Sequence, residues 1–429
     1  MMASTLVIEG GRDVVGEVYI SGSKNAGLAI MAAALLASGQ STLEGVPRLS
    51  DIGNFGRILR QLGAQVTRIA DTLQIETANV QCSDIPFELT RTMRASILIL
   101  GPLLARFGNA KVSLPGGCAI GLRPIEQHIK GLERLGACVV ISDRSIDARA
   151  PSGLHGAVLP LETPTVTGTM NLMLAACMAR GVTHIQNAAR EPEVADLAMC
   201  LISMGVTIHS AGTDHLTIHG RDSLLPYHYR VMKDRIEGGT FLILGAMAGN
   251  PLTVHGCIYE NQSALIEKLR AIGAHIEVKE CSMTVYKATR PAAIDVQTGP
   301  YPCFPTDLQP QLMALLSVAL GRSLLTETVF ELRFNQVIGL TSMGAHISVD
   351  GETAIVNGVK GLSGSTVVAT DLRAGASLVI AAIIAKGTTM IRCAEHTDRG
   401  YDRLDYKLVS IGVRIRRLRC LQSVPPVDA

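Results

Sequence analysis

Tryptophan is absent from this 429-residue chain, and aromatics make up only 3% of it. Single-stranded nucleic acids are held on aromatic stacking platforms, so that class of binder is not expected. Charge of one sign is also lacking: 39 Lys and Arg stand against 37 Asp and Glu, a net charge of +2. Binding duplex nucleic acid through a broad basic field needs a larger excess. No apolar run reaches the ~20 residues of a membrane-spanning helix. The longest, Ala26–Ser38 and Ala374–Ala385, are rich in alanine and read as buried helices. None of the ten cysteines forms a C-x-x-C pair, and no Cys/His cluster has zinc spacing, so no metal site is expected. Cysteines spread through an apolar chain suit a reducing compartment. Met1-Met2-Ala3-Ser4-Thr5 has no basic region ahead of an apolar run, so no signal peptide is read there. The expectation is a cytoplasmic protein without nucleic-acid or membrane partners.

Apolar residues are plentiful, at 47%, and come chiefly as Leu, Ile, Val, Ala and Met. A single core stops growing near ~250–300 residues, so two domains are expected. Their organisation shows in a repeat. A helix-like run followed by glycine recurs at Gly63, Gly136, Gly205, Gly273, Gly344 and Gly412. A second landmark, an apolar small-residue helix ending at Gly39, Gly108, Gly181, Gly249, Gly321 and Gly387, keeps the same beat. Each unit reads as a buried helix, a strand, an amphipathic helix and further strands, with the glycines at left-handed helix ends. Six units divide into three per domain. Leu224–Met232, with Pro226, reads as the crossover, and the strand Thr5–Glu9 is placed to complete the last unit's sheet.

The buried helices open on Ser21–Asn25, Thr92–Arg94, Thr165–Gly168, Asp234–Gly238, Pro305–Asp307 and Asp371–Arg373. Four of these openings carry Lys24, Arg94, Arg235 or Arg373. A cation in a first turn opposes the helix dipole, so its presence points to a ligand with several negative charges bound between the domains. Asp307 stands out as an acid at such an opening. It reads either as a helix-stabilising carboxylate or as the one base among cations. Asp371 reads as a cap. Arg333 and Arg399 lie on turns beside acids, where surface ion pairing is the plain reading. Arg414, Arg416, Arg417 and Arg419 read as a solvated strand face, and the histidines as structural or surface, with His128 set apart by its position after a glycine-rich loop. That loop, Leu114–Pro124, places Cys118 between the Gly116-Gly117 pair and Arg123. A thiol near a cation is either a working acid or thiolate, or an incidental cysteine on a surface loop.

Set in this six-fold repeat are Lys24-Asn25, Thr92-Met93-Arg94-Ala95-Ser96, Pro115-Gly116-Gly117-Cys118, Arg123-Pro124, Asn187–Glu193, Phe304-Pro305-Thr306-Asp307, Thr326–Phe330 and Ala369–Arg373. Together they resemble the UDP-N-acetylglucosamine 1-carboxyvinyltransferases, enolpyruvyl transferases of the first committed step of peptidoglycan synthesis. The resemblance runs from about Val7 to about Leu418. It implies an α/β fold of two inside-out α/β barrels, each of three βαβαββ units. The first domain would be residues 22–230 with the Cys118 loop as a lid, and the second 1–21 with 231–420, leaving 421–429 as a tail.

The resemblance also implies roles. Cys118 would be the acid toward the methylene carbon of phosphoenolpyruvate and able to form an adduct at the neighbouring carbon. Asp307 would take the proton of the sugar 3-hydroxyl. Lys24 and Arg399 would hold phosphoenolpyruvate, with Asn25 and Arg123 beside it and Arg333 and Arg373 on its carboxylate. Asn25, Arg94, Arg123, Pro124, Ile125, Glu126, Gln127, Thr165, Val166, Asp307 and Val329 would line the UDP-sugar site. No metal or other cofactor is implied. Two positions depart from the family pattern: Glu126 replaces an aspartate, and Thr163 stands where a lysine usually reaches the diphosphate. Hydroxyls, backbone N–H groups or another arginine would then serve the diphosphate. A paralogue acting on another nucleotide such as UMP, and a weakly active regulatory paralogue, are the alternatives.

Overall fold

The alanine-rich runs fold as helices with almost no exposed surface. Lys24–Ala33 is buried throughout Ala26–Ala33, and Leu372–Ile384 throughout Arg373–Ile383. A helix apolar all round belongs inside a core. These are two of the inner helices in a computed structural model that describes residues 4–81, 87–90, 93–114, 125–142 and 145–419. The others are Leu100–Phe107, Val166–Ala176, Arg235–Ala248 and Gln309–Leu316. Leu100–Phe107 packs on Val166–Ala176, and Gln309–Leu316 packs on both Arg235–Ala248 and Leu372–Ile384.

Around the inner helices the described residues form six sheets. The third unit shows their common order. Val158–Pro160 runs parallel to Val182–Gln186, which pairs antiparallel with His215–His219, itself antiparallel to Thr207–His209. The fifth unit repeats it with Val296–Gln297, Arg322–Thr326, Thr353–Asn357 and His346–Asp350. Helices inside and sheets outside give the expected inside-out α/β arrangement. The strand read at Thr5–Glu9 is Ser4–Glu9, and it does complete the sixth sheet, between Thr388–Arg392 and Arg414–Arg419.

Two sheets borrow their parallel strand from elsewhere in the chain. Val14–Tyr19 lies beside Gly249–His255 in the fourth unit, and His228–Arg230 lies beside Gln40–Glu44 in the first. The buried apolar side chains form two clusters. One spans Ala26 to Val231, and the other joins Leu6–Ile20 to Ile236–Val413. The chain passes between them twice, and the two passages run side by side. Gly22 bridges Lys233, Ser23 N–H donates to the Met232 carbonyl at 2.7 Å, and Asp234 N–H to the Ser21 carbonyl at 2.9 Å. A Cβ at Gly22 would fall 2.0 Å from the Gly45 carbonyl oxygen, so no other residue fits that passage.

Three expectations are corrected. Leu224–Met232 is not a free crossover. It carries the strand His228–Arg230, and buried Tyr227 donates its hydroxyl to the Ile30 carbonyl, so the crossing narrows to Met232–Asp234. All six glycines after the amphipathic helices have φ between +88° and +104°, but Gly249, after an inner helix, has φ −68°. Glycine is needed there for close approach, because a Cβ would sit 2.6 Å from the Gly245 oxygen and 2.8 Å from that of Val285. The C-terminal arginine strand is not wholly solvated: Arg417 is 13% exposed and held by Asp398 and Asp405. No helix among the described residues is long and apolar enough to cross a membrane.

Candidate active site

Four of the six inner-helix openings carry a side-chain cap. Ser23 accepts from Ala26 N–H, Thr165 from Gly168, Asp234 from Ile236 and Glu237, and Asp371 from Arg373 and Ala374. Asp371 is therefore the cap that its position suggested. The other two open through 3-10 turns, Arg94–Ile99 and Thr306–Leu308, without a side-chain cap. Asp307 lies in the second of these turns with its carboxylate turned to other elements.

Each Asp307 oxygen takes one arginine. Arg333 Nη2 lies 2.7 Å from Oδ1, and Arg373 Nη2 lies 2.8 Å from Oδ2. Both guanidinium side chains are 5% exposed, whereas the Asp307 side chain is 25% exposed, enough to meet a ligand. Burial alone would raise the Asp307 carboxyl. The charges of Arg373, Arg333 and Lys24 outweigh it and hold the group well below the usual carboxylate range. Arg373 is steadied from behind by buried Tyr401, whose hydroxyl accepts from Arg373 Nη1 at 3.3 Å and meets Thr240 and Gln311. Arg333 and Arg399 are thus far from the surface pairs that their turns suggested.

A second carboxylate collects the remaining cations. Asp51 lies 3.7 Å from Lys24 Nζ and 3.0 Å from Arg399 Nε. Burial pushes the Lys24 ammonium down, with Asp51 opposing the shift. Lys24 N–H also donates to Asp234 at 3.1 Å. Lys24, Asp307, Arg333, Arg373 and Arg399 therefore form one neighbourhood, drawn from both clusters of the fold. Arg235 does not join it as a free cation. Its Nε makes two 3.1 Å bonds to the Glu193 carboxylate, which ties the two clusters together.

Asp51 was missed in the sequence because an acid in a first turn reads as a helix stabiliser. Its spacing held the signal: Asp51 shares the buried face of Ser50–Gln61 with Phe55, Ile58 and Leu59. Tyr401 offered no comparable signal.

The positions expected to line a sugar nucleotide lie mostly in the first cluster. Asn25 follows Lys24, and Arg94 opens its 3-10 turn near His128. Ile125 caps the helix Glu126–Arg134, where Glu126 is exposed and Gln127 half-buried. Thr165 and Val166 open their inner helix, and Val329 is 37% exposed on the turn before Arg333. The Gln127 amide donates to Thr163 at both the carbonyl (3.1 Å) and the hydroxyl (2.8 Å). The position that lacks the usual lysine is thus tied to the helix of Glu126. His128 is buried between Asn171 and Thr167, and burial with Arg94 pushes its imidazole down to about 3. Cys118, Arg123 and Pro124 lie outside the described residues. Among the described residues, no group of three or more His, Cys, Asp and Glu could hold a metal ion.

A carboxylate gripped by two arginines, with a lysine and a third arginine beside it, can bind a small polyanion and hold a base against it. Residues 8–408 match the family described as EPSP synthase (3-phosphoshikimate 1-carboxyvinyltransferase), and the chain belongs to that family of enolpyruvyl transferases. Within it, the chain is 50% identical over 418 residues to the UDP-N-acetylglucosamine 1-carboxyvinyltransferase of Anaeromyxobacter sp. (strain K), covering 96% of this chain and 99% of that one. It is 48% identical over 413 residues to the enzyme of that name from Trichlorobacter lovleyi, with the same coverage. The enolpyruvyl transferase NikO from Streptomyces tendae superposes with a TM-score of 0.86 at 26% identity, over 98% of this chain and all of that one. EPSP synthase from Acinetobacter baumannii gives 0.75 at 16% identity over 97% of this chain and 100% of that one, a likeness of fold alone.

Proposed function

We propose that the protein transfers the enolpyruvyl group of phosphoenolpyruvate to the 3-hydroxyl of UDP-N-acetylglucosamine, releasing phosphate. The observation that carries this reading is the double arginine grip on Asp307 beside Lys24, Asp51 and Arg399. Half-identity to enzymes named for that acceptor, over nearly the whole chain, favours it over UMP.

Arg333 and Arg373 bind the carboxylate of phosphoenolpyruvate, and Lys24, Arg399 and Arg123 serve its phosphate. The sugar hydroxyl attacks C2 as Asp307 takes its proton, while Cys118 protonates the C3 methylene. The product of this step is a tetrahedral ketal bearing methyl, carboxylate, phosphate and the sugar oxygen. Loss of phosphate from C2 and of one C3 proton restores the double bond as the enolpyruvyl ether. Several fixed cations suit the negative charge that gathers on the ketal and leaving group.

Asp307 occupies the arginines that the substrate carboxylate needs, and while gripped it is a poor base. Phosphoenolpyruvate displaces it from them, and so raises its basicity when the substrate is in place. The test is phosphate release requiring both substrates, with Cys118→Ala losing turnover and losing labelling by the epoxide fosfomycin. Absent turnover with the UDP-sugar, or labelling that survives Cys118→Ala, contradicts the reading.

A further inference from the structure

Behind Arg333 lies a carboxylate that the proposed reaction does not use. Glu327 is 1% exposed and accepts four hydrogen bonds. Its Oε1 takes Thr298 Oγ1 at 2.9 Å, Val329 N–H at 2.9 Å and Phe330 N–H at 3.2 Å. Its Oε2 takes the Thr306 hydroxyl at 2.8 Å. A threonine hydroxyl has one proton to donate. With that proton committed to Glu327, the Thr306 oxygen presents lone pairs outward, and Arg333 Nη1 donates to it at 3.0 Å. The same guanidinium then places Nη2 on Asp307. It lies over the Phe330 ring, whose backbone N–H Glu327 also holds. Among the described residues Arg333 Nε is buried without a hydrogen-bond partner, and the Thr306 contact and the Asp307 ion pair orient the guanidinium.

We propose that Glu327 is a positioning residue for this reaction, acting through the Thr306 hydroxyl to hold the Arg333 guanidinium in the orientation that receives the phosphoenolpyruvate carboxylate. This rests on the proposed role of Arg333. Glu327 also holds the turn that carries Val329, which is the purely structural alternative. Two substitutions separate them. Glu327→Gln keeps an oxygen for Thr298, Val329 and Phe330, and turns an amide N–H toward Thr306, which reverses only that bond. Thr306→Val deletes the hydroxyl, and Thr306→Ser keeps it.

The experiment measures KM for each substrate, melting temperature, and phosphoenolpyruvate affinity by calorimetric titration without acceptor. Loss of a hydrogen bond that orients a charged group predicts a roughly tenfold rise in phosphoenolpyruvate KM and Kd for Glu327→Gln and Thr306→Val. KM for the UDP-sugar stays within about twofold, since binding of the other substrate is untouched. Thr306→Ser retains near-normal affinity. The double variant is no weaker than Thr306→Val alone, because both changes cut one relay. Wild-type phosphoenolpyruvate affinity in Thr306→Val or in folded Glu327→Gln overturns the proposal, as do losses that multiply in the double variant. If Glu327→Gln fails to fold, the Thr306 pair still decides. If the wild type turns over no UDP-sugar, the proposed function fails while the titration still reads the relay.

Discussion

At the scale of single residues, Asp307 holds both Arg333 and Arg373, and in the proposed reaction the substrate carboxylate would compete with it for them. Removing the competitor should tighten phosphoenolpyruvate binding even as catalysis is lost. Asp307→Asn is expected to lower kcat by about 10²–10⁴-fold, the usual worth of a positioned base. Its phosphoenolpyruvate Kd, read by titration calorimetry, should fall below that of the wild type. Weaker binding would mean that Asp307 helps hold the ligand rather than standing in for it.

His128 allows a test that needs no substrate. Burial, with the Arg94 charge added, pushes its imidazole down to about 3 in the folded protein from the ordinary 6.5 of an unfolded chain. Between these values the unfolded chain binds the extra proton, so stability falls as pH drops from 6.5 toward 3, at about 1.4 kcal/mol per pH unit from this group. Urea midpoints for His128→Gln should show a shallower loss over that window, and equal slopes would contradict the assignment. The charged residues were legible by type and position but not by partner. Lys24, Arg373 and Asp307 sit at helix openings, which spacing located. That Asp307 faces Arg333, and that Asp51 faces Arg399 from 348 positions away, depends on tertiary contacts that no local pattern encodes.

At the scale of elements, six glycine-marked units were legible because each landmark meets a local demand. All the landmark glycines except Gly249 take a left-handed φ after their helices, and the apolar runs had no polar face to expose. Borrowed strands were harder. Nothing in Val14–Tyr19 states that its partner is Gly249–His255, and His228–Arg230 is three residues long. Close helix packing was also silent in the sequence. Leu100–Phe107 meets Val166–Ala176 so tightly that a Cβ at Gly101 would fall 2.4 Å from the Asn171 carbonyl oxygen. Gly101→Ala should therefore destabilise the protein by about 1–3 kcal/mol through overpacking, although alanine is the better helix former. Chemical unfolding checks this, and a gain in stability would show that the helices part at little cost.

At the scale of the whole molecule, the two clusters are joined by the paired passages at Gly22 and Lys233 and by ion pairs that cross between them. Arg235–Glu193 is the most enclosed of the crossing pairs among the described residues, with side chains 10% and 3% exposed. Glu193→Ala leaves a guanidinium without its carboxylate and should cost about 3–5 kcal/mol. Lys130→Ala breaks a pair that is 58% and 70% exposed, and should change stability by under about 1 kcal/mol. Scanning calorimetry of the two variants compares them directly. Equal losses would show that the crossing pair does not bind the halves together.

These crossing contacts bring Lys24, Asp307, Arg333, Arg373 and Arg399 together from both clusters. The most direct measurement is phosphate release from phosphoenolpyruvate with UDP-N-acetylglucosamine, UMP or shikimate 3-phosphate as acceptor, with mass analysis of the product. Turnover with UDP-N-acetylglucosamine and a product heavier by one enolpyruvyl group is the expected result. Turnover with UMP or shikimate 3-phosphate and none with the UDP-sugar would contradict it.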